Sequence, residues 1–353
     1  MAATIVDVAA RAGVSTATVS RILSGAVRGR AATRGRVLEA AQALDYRPSG
    51  VARSLKLRRT RTLGLLITDI QNPFYPELVR AAEDAATERA YALLLGNGAQ
   101  DRDREAAYLE VLAARRVDGI LIAASSLSER HARWIAQAPV PIVLANCSLG
   151  PDGPPAVLCD NEAGGRLAAE HLLGLGHRRL GYLAAEQPNP AAEERLAGFR
   201  AGLAGRGGLR VAVSSGDVRG GRQAMATLVT AWPEVTAVFC FNDQMALGAL
   251  RAAHEAGRQV PGDLSLVGFD DIALAADIEP ALTTVAQPIA EMGRWAVQRL
   301  IDRIDGVSSD EGPTVLRRPV HLQVRGTTAP CRVAAPPPPA GAADRRRPGR
   351  SST

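Results

Sequence analysis

From Thr62 to Ala329, short apolar runs alternate with longer stretches in which apolar residues recur every three or four positions. The runs Leu63–Ile67, Ala92–Leu95, Gly119–Ala123, Pro141–Leu144, Leu180–Leu183, Ala237–Phe241 and Leu264–Gly268 read as strands buried on both faces. Between them, Pro76–Ala90, Asp103–Arg115 and Ala163–Leu175 have the spacing of amphipathic helices. This alternation predicts parallel sheets covered by helices on both faces. Roughly 270 residues is more than one doubly wound sheet of ordinary size needs, so the body is expected to form two lobes.

The first forty-odd residues follow a different rhythm, with helical spacing and no strand-like run. In TIVDVAARAGVSTATVSRIL (4–23), Thr4 is placed to cap a helix whose Ile5, Val8 and Ala9 face inward. Gly13 falls where the turn needs positive φ, Val14 packs in that turn, and Ser15 caps a second helix with Val19 and Ile22 inside. A small residue, a glycine four positions on and an apolar residue six beyond it form the helix-turn-helix pattern. Thr33–Leu44 is expected to be a third helix with Val37, Leu38, Ala41 and Leu44 as its core stripe. Two ordinary bundle helices would leave Thr16, Ala17, Ser20 and Arg21, on the outer face of the second helix, without a purpose.

Composition narrows the class. A 353-residue chain that is 46% hydrophobic is not mostly disordered, and it has no apolar stretch long enough for a membrane span. Asp7 and Arg11 interrupt the N-terminal apolar residues, so no secretory signal is expected. Cys147, Cys159, Cys240 and Cys331 form no CxxC pair, in keeping with a reduced, cytoplasmic chain. The net charge of +6 by itself fits nucleic acid, a membrane surface or neither. Its distribution says more: residues 1–61 carry +9, residues 62–329 carry −7 and residues 330–353 carry +4. A small basic head on an acidic body is the footprint of a nucleic-acid binder. The tail, AAPPPPAGAADRRRPGRSST from residue 334, has almost no apolar bulk and is expected to be disordered.

No GxSxG, GxxxxGK[ST], HExxH or strand-following GxGxxG occurs, and the five histidines are scattered, so neither an enzyme nor a cofactor or metal site is expected. His171 and His177, flanking Gly174-Leu175-Gly176, read as structural.

The head motif, followed by DYRPSGVARSLKLRRTRTLGLL, DIQNPFY (69–75), RRVDGILI (115–122), DNEAGGRLAAEHLLGLGHRRLGYL (160–183), RLAGFR (195–200), FNDQMALGAL (241–250), VPGDLSLVGFDDI (260–272) and LTTVAQP (282–288), resembles the lactose/galactose-repressor family of transcription factors over about residues 4–329. The resemblance implies a small all-α helix-turn-helix head plus an α/β two-lobed periplasmic-binding-protein-like body with two doubly wound parallel sheets. By resemblance, Thr16, Ala17 and Arg21 fall at the positions that read bases; an arginine guanidinium can pair bidentately with guanine O6 and N7. Ser15, Thr18 and Ser20 fall at phosphate-anchoring or capping positions. Ser49–Leu57 resembles the family's hinge helix, in which Leu55 would enter the minor groove, Ala52 permits close approach, and Arg53 and Lys56 face phosphates. Gly50 weakens this helix in isolation, and Arg30 stands where the family usually has a capping serine.

For the body, the resemblance implies an effector between the lobes, with Phe74, Asn146, Arg195, Asn242, Asp270 and Gln287 around it. Phe241 fits either the pocket or the core, and Arg195 with Asp270 also fits a salt bridge across the lobes. Asn146 stands where many relatives carry Asp, and Val218 where they carry an aromatic residue. The expected organisation is a DNA-binding head over 1–47, hinge and linker over 48–61, one lobe from 62–160 plus 289–317, a second from 161–288 plus 318–329, and the tail from 330. The expected function is a cytoplasmic, nucleoid-associated, homodimeric repressor on a pseudo-palindromic duplex operator, modulated by a sugar or sugar-derived effector, with no membrane partner. The rival readings are a transport-type binding protein, which the basic head disfavours, and an effector-independent DNA-binding regulator with an idle pocket.

Overall fold

The computed structural model describes residues 3–23, 31–46, 59–124, 126–186, 189–307 and 314–332. Three helices come first: α1 (Ile5–Ala12), α2 (Thr16–Leu23) and α3 (Ala31–Ala43). They close on a core that includes Val8, Ala9, Val19, Ile22, Val37 and Ala40. Leu38, expected in that core, is 45% exposed, and Ala40 takes its place. The inward stripe of α3 therefore runs 37, 40, 41 and 44, the spacing of a helix face, whereas position 38 turns 100° away from 37.

The body then alternates β1 (Thr62–Ile67), α4 (Phe74–Glu88), β2 (Ala92–Asn97), α5 (Arg102–Ala114), β3 (Gly119–Ala123), α6 (Glu129–Ala136), β4 (Ile142–Ala145) and β5 (Ala156–Cys159). It continues through α7 (Asn161–Gly174), β6 (Arg179–Ala185), α8 (Pro190–Leu203), β7 (Gly208–Ser214), α9 (Val218–Ala231), β8 (Ala237–Cys240), α10 (Asp243–Glu255), β9 (Ser265–Asp270), α11 (Leu274–Asp277) and β10 (Thr283–Ala286). It ends with α12 (Ile289–Ile304), β11 (Val315–Arg318) and β12 (His321–Gln323). The strands form two six-stranded sheets, ordered β11-β5-β4-β3-β1-β2 and β12-β10-β9-β8-β6-β7. The pairs β1–β2, β1–β3, β3–β4, β4–β5, β6–β7, β6–β8, β8–β9 and β9–β10 are parallel, and β12 runs antiparallel to β10.

The chain divides into two compact units. Unit 1 comprises residues 1–71, 75–158 and 290–316; unit 2 comprises 72–74, 159–289 and 317–353. All seven strands read from apolar runs are present. β5, β7, β10, β11 and β12 were not anticipated: β7 is an edge strand whose residues are largely exposed, and β5 and β10 are only four residues long. Helices begin one or two residues earlier than periodicity indicated, because polar side chains cap them upstream. Asp101 accepts from Asp103 N and Arg104 N ahead of α5, and Asp160 accepts from Ala163 N ahead of α7.

Unit 1 encloses a buried acid. Glu105, on α5, is 4% exposed, and its Oε2 lies 3.6 Å from His131 Nε2. Ser128 N donates to His131 Nδ1 at 3.0 Å, which leaves the ring proton on Nε2, facing the carboxyl. Burial pushes the Glu105 carboxyl up to about 7, against the opposing effects of Thr68 and Arg102, and burial likewise holds His131 below its ordinary value. Between 4.5 and about 7 the folded chain keeps a proton on Glu105 that the unfolded chain has released, so this group costs stability as pH rises. His131 acts oppositely, costing stability as pH falls through 6.5, because the unfolded chain takes up its proton first. Glu105→Gln removes only the first effect. Its stability relative to the parent, from urea unfolding, is expected to rise by up to about 3 kcal/mol between pH values of about 5 and about 8. A difference that stays flat with pH would show that Glu105 does not carry the proton.

Candidate functional site

The head is set by its caps. Thr4 and Asp7 form a capping box: Asp7 N donates to Thr4 Oγ1 at 3.4 Å, and Thr4 N donates to Asp7 Oδ2 at 2.8 Å. Thr4 N and Thr4 Oγ1, both donating to Asp7 Oδ2, hold the Asp7 carboxyl below its usual range. Gly13 closes α1 in the left-handed conformation, φ 62°, and Ser15 Oγ accepts from Thr18 N at 3.2 Å to start α2. With Val19 and Ile22 turned into the core, Ser15, Thr16, Ala17 and Arg21 are exposed, while Thr18 and Ser20 are half-buried. Arg21 Nε donates to Ala17 O one turn back, which lays the guanidinium along the exposed face of α2. Ala52, Arg53, Leu55 and Lys56, like Arg30 and Gly50, lie outside the described residues.

In unit 2, the parallel order of β10, β9, β8 and β6 brings the C-terminal ends of these strands together, the edge where open α/β sheets bind ligands. Asp270 ends β9, Gln287 follows β10, and Phe241 and Asn242 follow β8. Arg195 reaches this edge from α8. It can do so because α7 and α8 lie nearly in backbone contact, a closeness that needs Gly165 and Gly198: a Cβ on either would collide with backbone of the opposite helix.

Arg195 is 2% exposed, and three kinds of partner surround it. Its Nε donates to Asn161 Oδ1 at 2.8 Å, its Nη1 donates to Phe241 O at 2.6 Å, and Asp270 Oδ1 lies 3.6 Å from Nη1. The guanidinium stands 3.6 Å from the centre of the Phe269 ring and 4.8 Å from that of Phe241. Gln287 Nε2 donates to Asp270 Oδ1 at 2.6 Å, whereas Gln287 Oε1 is buried with no hydrogen-bond partner among the described residues. Both residues of the Arg195–Asp270 pair belong to unit 2, so the pair lies within one lobe and is not the bridge across lobes that was one reading of it.

The remaining predicted residues are placed as follows. Asn242 caps α10, accepting from Met245 N at 2.8 Å and donating to Gly216 O at 2.9 Å, so both ends of its amide are used inside unit 2. Phe241 is buried, packed against Arg195. Phe74 is buried at the first position of α4, in the short 72–74 segment grouped with unit 2. Asn146 belongs to unit 1, half-buried just after β4 at φ 59°. Val218 is exposed at the start of α9. His171 and His177 are structural: His171 Nε2 meets Thr328 Oγ1, and both His177 nitrogens are occupied by Thr236, Ser265 and Ala329.

Sequence reasoning missed Asp243 and Asn161, although both stand inside the family-like motifs. Asp243 is fully buried; its Oδ1 accepts from Thr284 Oγ1 and its Oδ2 from Ile272 N at 2.9 Å. Burial and the nearby Asp270 charge hold its carboxyl well above the ordinary range. It fastens the turn that follows Asp270, where φ is 125° at Asp270 and 61° at Asp271. Asp271 pairs with Arg325 at 2.7 Å, so the adjacent carboxylates serve separate partners. Among the described residues no cluster of His, Cys, Asp or Glu could hold a metal ion, and no helix is long and apolar enough to cross a membrane.

Removing a cation from this setting leaves the Asp270 carboxylate buried and uncompensated. Arg195→Met is expected to cost about 3–5 kcal/mol, read by urea unfolding through Trp232, the one tryptophan of unit 2. Adding Asp270→Asn should recover part of the loss; a cost below about 1 kcal/mol would contradict the role given to Arg195.

Residues 4–49 match the model for bacterial regulatory proteins of the lacI family, and residues 169–328 match a periplasmic binding protein-like domain. The HTH-type transcriptional repressor PurR of Aliivibrio salmonicida is 37% identical over 309 residues, covering 86% of this chain and 92% of that protein. Among solved structures, the lac repressor dimer bound to operator and the anti-inducer ONPF superposes with a TM-score of 0.84 at 29% identity, over 93% of this chain and all of that one. A lacI-family regulator from Enterococcus faecium with bound ribose superposes with a TM-score of 0.69 at 32% identity, over 77% of this chain and all of that one.

Proposed function

This chain belongs to the lacI family of bacterial regulatory proteins, and from that membership we propose how its parts divide the work of a DNA-binding transcriptional repressor whose operator affinity responds to a small sugar or related metabolite. The family consists of transcriptional repressors, not enzymes. Residues 1–47 bind DNA, 48–61 form the hinge and linker, and the two lobes are 62–160 with 289–317 and 161–288 with 318–329. One observation carries the head: α2 is capped, packed on one side, and presents Thr16, Ala17 and Arg21 on the other. These three read base edges in the major groove, while Ser15, Thr18 and Ser20 hold phosphates or cap the helix. Leu55 wedges into the minor groove beside Ala52, with Arg53 and Lys56 on phosphates.

Arg195, Asp270, Gln287 and Phe241 form the effector end of unit 2, with Asn242 behind them as the cap of α10; Phe74 and Asn146 complete the set. The unpartnered Gln287 Oε1 supports this, because a buried acceptor left open costs free energy until a donor such as a sugar hydroxyl meets it. The repressor works in the cytoplasm as a homodimer on a pseudo-palindromic operator. Apolar side chains exposed at edge strands support a partner copy: Leu94 and Leu95 on β2, and Val211 and Val213 on β7.

Two measurements test this. Arg21→Ala should weaken binding to the selected operator by about 1–3 kcal/mol and relax base preference, measured by competition against randomised duplexes. Equal loss on specific and random DNA would assign Arg21 to phosphate instead. By calorimetry across pentoses, hexoses and disaccharides, at least one sugar should bind the parent, and Asp270→Asn should weaken it about tenfold or more. If no sugar binds or alters operator affinity, the chain is an effector-independent regulator.

A further inference from the structure

Apart from the short 72–74 piece, unit 2 has three boundary segments, at Cys159, Ile289 and Arg317. Each carries, within two residues, a polar side chain bonded into the Arg195 cluster. At the first, Asn161 accepts from Arg195 Nε through Oδ1 and donates through Nδ2 to Glu194 Oε2 at 2.9 Å. At the second, Gln287 donates to Asp270, the anion facing Arg195. At the third, Arg317 Nη2 donates to Glu194 Oε1 at 3.0 Å and Nη1 lies 3.4 Å from Oε2.

Two consecutive residues of α8, Glu194 and Arg195, thus face all three boundaries. Arg195 reaches the first directly and the second through Asp270, while Glu194 reaches the first and the third. The Glu194–Arg317 pair is half-exposed, and such pairs add little stability on their own. Its geometric role is larger: Glu194 Oε2 orients the Asn161 amide so that Oδ1 points at Arg195 Nε, and that choice of amide orientation is what the buried guanidinium requires. Asp270 Oδ1 meanwhile accepts from Gln287 and faces Arg195, so a hydroxyl that engages it competes with both.

We propose that Glu194 is a positioning residue for Arg195, and that the chain Arg317–Glu194–Asn161–Arg195–Asp270–Gln287 transmits occupation of the Asp270 site to the three boundary segments of unit 2. The regulatory half of this statement rests on the reading of Arg195 and Asp270 as effector contacts.

Amide hydrogen exchange on the full chain tests the link without any effector. Glu194→Leu should speed exchange about tenfold or more at 316–319 and 159–161, and also at 286–289, which Glu194 does not touch. Glu194→Gln keeps an acceptor for Asn161, so it should restore 159–161 and 286–289 while leaving 316–319 fast. Acceleration confined to 159–161 and 316–319 in the Leu variant would reduce Glu194 to a local contact and overturn the proposal. Should Glu194→Leu fail to fold, Glu194→Ala makes the same comparison by removing both carboxylate oxygens, and unchanged exchange at 286–289 would overturn the proposal equally. With D-ribose as the probe, the parent should slow at all three segments, and Glu194→Gln should lose the response at 316–319 with affinity changed less than about threefold. A response unchanged in Glu194→Gln would overturn the regulatory half. Failure of any sugar to bind would overturn the effector reading and with it that half, and leave the positioning role to be decided by exchange alone.

Discussion

A guanidinium withdrawn from water is tolerated only where its N–H groups meet acceptors and its faces meet rings or anions. At Arg195 that requirement organises one end of unit 2. The Asn161 amide must turn its oxygen inward, the Phe241 carbonyl must end β8 within reach, Asp270 must hold its carboxylate close, and Phe269 must lie flat beneath. The helix that delivers Arg195 has to lie almost against α7, which is why Gly165 and Gly198 stand at the crossing. A strand edge built this way is rigid in itself, since each member is positioned by the others.

The turn after β9 shows how such rigidity is maintained against local strain. A non-glycine residue at φ 125° costs on the order of 1–3 kcal/mol and persists only where its surroundings over-determine it. Three attachments do so here: Gln287 on the Asp270 carboxylate, Asp243 on the Ile272 amide, and Arg325 on Asp271. Asp243 is itself an acid held above its ordinary range by burial and by the nearby Asp270. The strain sits at Asp270, whose carboxylate faces Arg195 and accepts from Gln287.

Much of this fold was legible beforehand, and the failures have physical causes. Buried central strands announced themselves as apolar runs because helices cover both faces of each sheet. Edge strand β7 did not, since one residue in two faces solvent and its pattern resembles a loop. In α3 the apolar content of Leu38 outweighed its position in the stripe, although Ala40 had the better phase. In the candidate site, motif resemblance located Arg195, Asp270 and Gln287, yet periodicity and motif alone gave no sign that Arg195 is internal. Asn161, Glu194 and Asp243 went unread because their roles arise from contacts between residues distant in sequence, with the exception of neighbours Glu194 and Arg195. Their chemistry is ordinary; only the crossing of α7 and α8 makes it specific.

The body's arginines explain a feature of composition that net charge obscures: the chain has one lysine, Lys56, among 42 basic residues. The last carbonyls of a helix lack intrahelical donors, and a planar fork of N–H groups can serve several at once where an ammonium group acts as a point charge. Arg178 donates to Leu173 O at the end of α7, Arg206 to Gly202 O and Leu203 O at the end of α8, and Arg210 to Ala231 O at the end of α9. Arg258 serves Pro233 O and Val235 O beyond α9, and Arg59, from the segment ahead of the body, reaches Ile304 O at the end of α12. Positive charge in the body is therefore largely committed to carbonyls and carboxylates, on a surface whose formal charge is already negative. On α2, by contrast, Arg21 extends along an exposed face within a segment of +9. The same residue type thus fastens helix ends in one part and lies along an exposed, basic helix face in the other, and the division follows from which carbonyls each guanidinium can reach.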